Sequence, residues 1–184
     1  NKDFRKNRNL QNLLILTAIK ADQTRVMDYI NRLDNYDGSD IAKIAVDKGL
    51  FEEAFTIYQK SKLNTDAIRV LVDNIENISR ASEFAETVNE PEVYSFLGRA
   101  QLAAGLVSEA VNSFLKAEDP SNYNEVITAA QQTEQYSQLI KFLKMARGKI
   151  HDPAIDTELV YSYAKLAQQK NNPDALADLE DFIS

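Results

Sequence analysis

One twelve-residue pattern occurs twice in this chain and limits the fold more than any other feature. Gly49-Leu50-Phe51-Glu52-Glu53-Ala54-Phe55-Thr56-Ile57-Tyr58-Gln59-Lys60 aligns with Gly105-Leu106-Val107-Ser108-Glu109-Ala110-Val111-Asn112-Ser113-Phe114-Leu115-Lys116. The shared form is Gly-Leu-x-x-Glu-Ala-x-x-x-aromatic-x-Lys, at an offset of 105 − 49 = 56 residues. That offset equals two helical hairpins of about 28 residues each, the mark of a helical repeat. Each position has a physical role. Gly makes the tight turn between paired helices, Leu starts the packed face, Ala lets helices approach and the aromatic fills the space between layers. Glu and Lys are expected to stay in solvent.

Apolar residues elsewhere recur at three and four rather than two, the helical period. Leu10, Leu13, Leu14, Thr17 and Ala18 form the first stripe; Val26, Tyr29, Ile30 and Leu33 the second. Later stripes include Ala67, Leu71 and Ile75; Val93, Phe96, Leu97, Ala100 and Ala104; Leu139, Phe142, Leu143 and Ala146; and Leu176, Leu179 and Ile183. The pattern predicts about a dozen helices of roughly 10 to 15 residues. All four prolines follow a polar residue, in Glu90-Pro91, Asp119-Pro120, Asp152-Pro153 and Asn172-Pro173. Proline at the first helical position loses no hydrogen bond, so these are expected to start helices. Asn122 with Glu125 reads as a variant capping box, and Gly49 and Gly105 as helix ends. No gap is long enough for a linker. The fold class is therefore all-α, an α-solenoid of short antiparallel helical hairpins running through residues 1–184 without an internal domain boundary.

Composition removes whole function classes. The 184 residues hold no cysteine and one histidine, so disulfides, zinc fingers, Cys nucleophiles and two-histidine metal sites are out of reach. Five glycines and four prolines lie far below the roughly 12% usual for the two together, which disfavours all-β folds and Gly-rich phosphate loops. With 28 acidic and 21 basic residues the net charge is −7, the wrong sign for nonspecific nucleic-acid binding. Lys2, Arg5, Lys6 and Arg8 ahead of Leu13–Leu16 imitate a secretory signal, but Gln11 and Asn12 interrupt the run and Lys20 closes it. No stretch reaches the ~20 apolar residues of a membrane span. A start at Asn1 without methionine suggests a piece of a longer chain.

Candidate sites mostly dissolve. Asp34, Asp37 and Asp40 around Gly38 would put Leu33 and Ile44 where a calcium loop needs carboxylates, so a capped turn is expected. Asn77-Ile78-Ser79 matches a glycosylation sequon but serves as a helix cap. Glu52 and Glu53 diverge by about 100° on a helix and read as a solvated face rather than paired catalytic acids. His151 falls in an interhelix loop beside Asp152, itself read as a cap. What remains is a basic ridge, Lys141, Lys144 and Arg147 with Lys149 just beyond, a candidate docking surface for an acidic partner helix. No catalytic, cofactor-binding or metal-ligating residue is expected.

Longer stretches carry a resemblance. Asn9 to Asp22, continuing from Arg25 to Asp37, resembles the leg of the clathrin heavy-chain family, as do Leu50–Phe55, Glu83–Glu86 with Asn89-Glu90-Pro91, and Ala117–Ser121. The likeness loosens after about Thr133, and Gln168 to Pro173 looks like an insertion between the last two helices. The resemblance implies a segment of triskelion leg, from the distal part through the knee to the start of the proximal leg. It further implies a structural scaffold, not an enzyme, supporting lattice assembly on coated pits and vesicles in endocytosis and intracellular transport. The implied partners are other heavy-chain legs, with a light chain near or just beyond this segment. The implied location is the cytoplasmic face of coated membranes, reached through adaptors, without membrane insertion and without nucleic acid. The alternatives from other classes are a peptide-binding helical-repeat adaptor and a vacuolar tethering subunit with the related repeat.

Overall fold

The computed structural model describes residues 2–170 and 173–184, and among these there is no strand. The chain forms two compact units, Asn1–Val88 and Asn89–Ser184. In the first, α1 (Lys2–Lys6) and α2 (Arg8–Ala21) lead through a 3₁₀ turn, Gln23–Arg25, into α3 (Val26–Arg32). Then come α4 (Gly38–Asp47), α5 (Phe51–Lys60), α6 (Asn64–Arg69), a π turn over Val70–Asn74, and α7 (Ile78–Val88). The second contains α8 (Pro91–Ala103), α9 (Val107–Ala117), α10 (Tyr123–Gln132), α11 (Tyr136–Arg147), α12 (Pro153–Lys170) and α13 (Pro173–Ile183). Helices adjacent in sequence pack on one another within each unit, most extensively α4 on α5, α8 on α9 and α11 on α12. This is the α-solenoid of short antiparallel hairpins that the repeat predicts.

The turns show why the repeat needs its glycines. At the end of α4 the Gly49 N–H donates to the Val46 carbonyl and the Leu50 N–H to Ala45, both at 2.9 Å. At the end of α8, Gly105 and Leu106 donate to Leu102 and Gln101 at 3.0 and 2.9 Å. These are paired Schellman closures, and they require a left-handed residue, supplied at φ 74° and 79°. The same closure recurs where the sequence offers no glycine: Lys62, Glu118 and Glu134 take φ 57°, 51° and 55° and donate in the same paired register. Glu76 and Asn89 are left-handed as well, so such residues punctuate the chain every 13 to 16 positions from Gly49 to Glu134. The period is thus carried by backbone geometry further than by residue identity.

Each unit has its own core. In the first, Ala54, Phe55, Ile57 and Tyr58 of α5 are buried with Ile41 and Ala45 of α4, and the Phe55 and Phe84 rings meet edge to face, centroids 5.4 Å apart. In the second, Phe114 of α9 and Phe142 of α11 are fully buried with centroids 5.9 Å apart. The matched repeat positions Ala54 and Ala110 have no exposed surface, and the aromatics Tyr58 and Phe114 retain at most 5%. Gly98 lets α8 approach α9 at this point: a Cβ there would stand 2.8 Å from the Phe114 ring. Buried Ser113 donates to Gln101 at 2.6 Å across the same pair.

Several expectations need correction. The stripe on α2 is rotated: Gln11, Ile15, Ala18 and Ile19 are buried, while Leu10, Leu13 and Thr17 are exposed. Gln11 belongs inside because its side chain bonds three backbone groups, donating to Phe4 and Arg5 and accepting from the Asn35 N–H at 3.0 Å. Ala104, Leu176 and Ile183 are likewise exposed. Pro91, Pro153 and Pro173 start helices, but Pro120 lies in a turn before α10, where Asp119 accepts from the Ser121 N–H. Asn122 stands at the N-cap of α10 without a side-chain cap bond, so the expected capping box does not form. Asp37 likewise makes no cap bond; its carboxylate pairs with Arg8 at 3.2 Å. Helix lengths spread beyond expectation, from five residues in α1 to 18 in α12. The expected insertion begins inside α12, which runs on to Lys170; Asn171 and Asn172 lie outside the described residues.

Candidate interaction surfaces

The basic ridge follows from the amphipathic division of α11. Tyr136, Leu139, Ile140, Phe142, Leu143 and Ala146 are buried, which turns Lys141, Lys144 and Arg147 away from the core. The geometry then separates the members. Arg147 Nε pairs with Asp156 Oδ1 at 2.6 Å, and its guanidinium lies 4.7 Å from the Phe182 ring centroid. Lys144 Nζ sits 5.5 Å over the Tyr163 ring. Lys149 Nζ bonds Glu118 at 2.8 Å and holds that carboxyl below its ordinary pKa. Among the described residues, Lys141 is the exposed member of the row with no partner of its own.

Lysine of the repeat does not stay wholly in solvent. Lys60 Nζ donates to the carbonyls of Ile30 and Leu33 at 2.6 and 2.9 Å, closing the end of α3. Its counterpart Lys116 lies 5.0 Å over the Tyr94 ring. Glu52 is no free acid either. Its carboxylate receives two bonds from Arg80, at 2.6 and 2.7 Å, which tie α5 to α7 and lower the Glu52 pKa against a smaller opposing effect of burial. Nothing in the sequence spacing announces that pair, because 28 residues separate its partners.

The remaining candidates behave as caps. Asn77 Oδ1 accepts from the Arg80 N–H at 2.9 Å. Asp152 accepts from the Ala154 N–H and from the Tyr123 hydroxyl, each at 2.9 Å, beside an exposed His151. Among the described residues no group of three or more His, Cys, Asp or Glu could hold a metal, and no helix is long and apolar enough to cross a membrane.

One concavity escaped the sequence reading. Arg99, Leu102 and Ala103 of α8 and Asn124, Glu125, Thr128, Ala129 and Gln132 of α10 line an open groove of about 520 Å³, together with Asn122. Its lining mixes Leu102, Ala103 and Ala129 with charged and polar residues drawn from two helices, and no spacing within either helix announces it.

These features define a helical-repeat protein in which several polar side chains, among them Lys60, Arg80, Lys149 and Asp152, link one helix to another. The chain belongs to the clathrin family, whose model, described as a region in clathrin and VPS, matches residues 1–107 and 114–182. It is 55% identical over 181 residues to the clathrin heavy chain of Drosophila melanogaster, covering 98% of this chain and 10% of that protein. It is 52% identical over 183 residues to the clathrin heavy chain of Dictyostelium discoideum, covering 100% of this chain and 10% of that one. It is also 52% identical over 184 residues to clathrin heavy chain 2 of Homo sapiens, covering 100% of this chain and 11% of that protein. The chain thus spans about a tenth of the length of the curated relatives it matches.

Proposed function

We propose that this chain is a structural leg segment of a clathrin heavy chain, part of a continuous solenoid from the distal leg through the knee to the start of the proximal leg. The observation that carries the reading is the 55% identity to a clathrin heavy chain across 98% of the residues. The hairpin cores support it physically: within each unit neighbouring helices pack on one another, as stacked helical repeats do. It supports coat assembly in endocytosis and vesicle transport and performs no catalysis. Its partners are other heavy-chain legs, met in trimers and lattices through the full-length chain, with a light chain near or just beyond it. It works on the cytoplasmic face of coated pits and vesicles and reaches the membrane through adaptors. Many weak side contacts summed over a lattice give a coat that holds and still dissolves.

The basic ridge enters this reading in narrowed form. Lys144 and Arg147 brace α11 against α12 and α13, and Lys141 is the cation offered to an acidic partner helix. Charge reversal at Lys141 is expected to weaken leg-to-leg contact; unchanged affinity for every partner would remove the ridge from the interface.

The whole proposal is tested by replacing the matching tenth of a heavy chain with this sequence. The chimera is expected to trimerise and to build closed cages in vitro at the parent's critical concentration within about threefold. Trimers that form but never close cages would overturn the reading.

A further inference from the structure

We infer that the groove lined by α8 and α10 docks an extended peptide segment of another protein, one in which an acidic and a basic residue adjoin between aliphatic neighbours. Both helices pack on α9, and the groove of about 520 Å³ lies between them. Its lining falls within residues 99–132, with helices before and after it in the chain, so neither end of the sequence contributes to its openness. In a stack of repeats each hairpin meets its sequence neighbours, and here none of those lines the groove.

The lining selects the backbone form of the occupant. Asn122, Asn124 and Gln132 are amides, which offer donors and an acceptor as a peptide unit does. Asn122 Oδ1 accepts from the Ser121 hydroxyl at 3.3 Å and leaves its amide N–H groups to donate. Thr128 donates its hydroxyl proton to the Asn124 carbonyl at 2.9 Å and can still accept. A helix has satisfied its own backbone groups and would give these side chains nothing to bond, whereas an extended segment brings free N–H and C=O groups to them. From Glu125 to Gln132 the α10 lining is about 10 Å long, room for about three extended residues. Leu102, Ala103 and Ala129 supply apolar surface for an aliphatic side chain of the segment.

Charge selects the sequence. Arg99 and Glu125 are the charged members of the lining, one from each helix, and both are exposed. Among the described residues Glu125 has no hydrogen bond or ion pair. Arg99 has an ion pair with Asp119 at 3.9 Å, beyond hydrogen-bond reach, and Asp119 accepts from the Ser121 N–H at 2.9 Å instead. Each of the two therefore has charge to offer a ligand, and the signs are opposite. Successive side chains of an extended segment point to opposite sides, so adjoining acidic and basic residues meet Arg99 of α8 and Glu125 of α10 together. A segment of one sign meets one of the two as a like charge. So short a contact binds weakly, and it binds whether or not the chain serves in a coat.

Fluorescence anisotropy with the purified chain reads this directly. The probes are end-labelled, amidated hexapeptides, Ser-Leu-Asp-Lys-Leu-Ser and Ser-Leu-Lys-Asp-Leu-Ser, with Ser-Leu-Asp-Asp-Leu-Ser and Ser-Leu-Lys-Lys-Leu-Ser as controls. One mixed-charge probe is expected to bind with a submillimolar Kd, and both single-charge controls about tenfold more weakly. Arg99→Gln and Glu125→Gln, both at exposed positions, should each cost about tenfold in affinity with an unchanged melting curve. The double variant Arg99→Glu with Glu125→Lys should exchange the preference between the two mixed probes. Failure of both mixed probes to saturate at millimolar concentration, binding indifferent to both glutamine variants, or a double variant that keeps the parent's preference would overturn the inference. So would a bound probe with the circular dichroism of a helix, or self-association of the chain that the same variants abolish, which would give the groove to a second copy.

Discussion

Arg80 and Glu52 face each other through two parallel hydrogen bonds of 2.6 and 2.7 Å, and the Arg80 guanidinium also lies 5.0 Å over the Phe55 ring. The fork of guanidinium donors fits a carboxylate in two places at once, which an ammonium cannot do. Both side chains keep more than a third of their surface in water, 37% for Arg80 and 51% for Glu52, so solvent screening limits the gain. A double-mutant cycle with Arg80→Lys and Glu52→Gln is expected to give a coupling of about 0.5–1 kcal/mol by urea unfolding at neutral pH.

The same pair sets a pH dependence. The Arg80 hydrogen bond lowers the Glu52 pKa below its ordinary value. A carboxyl lowered in the folded state contributes stability above its unfolded pKa and loses it as pH falls through the folded value. Stability measured from pH 6 down into the acid range should therefore fall less steeply in Glu52→Gln than in the parent. Identical slopes would show that the bond is not held in solution.

Left-handed helix ends give a prediction with two signs. Gly49 at φ 74° has open space around a built Cβ, so Gly49→Ala costs only backbone strain, about 1 kcal/mol. Glu134 accepts the same strain at φ 55°, and Glu134→Gly should stabilise by up to about 1 kcal/mol despite the added freedom of the unfolded chain. Gly98→Ala is different in kind, because its Cβ would strike the fully buried Phe114 ring; a loss of about 1–3 kcal/mol is expected. Guanidinium unfolding midpoints at constant slope measure all three.

These helix ends also explain how far sequence reasoning reaches. The Gly49 and Gly105 turns were legible because glycine announces a left-handed residue, and the helical stripes of α5, α9 and α11 were legible because their buried faces are almost wholly apolar, Ser113 of α9 being the polar exception. Lys62, Glu118 and Glu134 do the same work with side chains that announce nothing of the kind. The face of α2 was misread because a polar residue, Gln11, satisfies backbone groups in the interior while Leu13 stays outside. Of the ridge, the positions were legible but the partners were not: Asp156, Tyr163 and Phe182 come from α12 and α13, and periodicity within one helix carries no information about what a neighbouring helix places opposite.

Lys60 provides the test of a repeat position that links hairpins. Its ammonium closes the carbonyls of Ile30 and Leu33, which α3 leaves without intrahelical partners. Lys60→Met keeps most of the aliphatic stem and removes both bonds, so a loss of about 1 kcal/mol is expected, with Lys43→Met on the exposed side of α4 staying within about 0.5 kcal/mol. Hydrogen exchange should localise the effect to the end of α3 rather than to α5.

Asp152 joins a cap and a phenol in one carboxylate. Oδ1 accepts from the Ala154 N–H at the start of α12 and Oδ2 from the Tyr123 hydroxyl, so the side chain bridges α10 and α12. Replacement by alanine removes a cap worth about 1 kcal/mol, and asparagine should recover most of that because it caps as well as aspartate. The two variants separate on a second readout. The hydrogen bond to a charged carboxylate raises the Tyr123 pKa, since ionising the phenol would leave two anions facing each other. Neutral asparagine removes that repulsion, so ultraviolet titration should show one tyrosine ionising at lower pH in both Asp152→Ala and Asp152→Asn. A group raised in this way contributes stability that is present below its unfolded pKa and lost as pH rises through the folded one. Parent and Asp152→Asn should accordingly converge in stability toward strongly alkaline pH, and a difference that holds constant through that range would mean the phenol and the carboxylate do not meet.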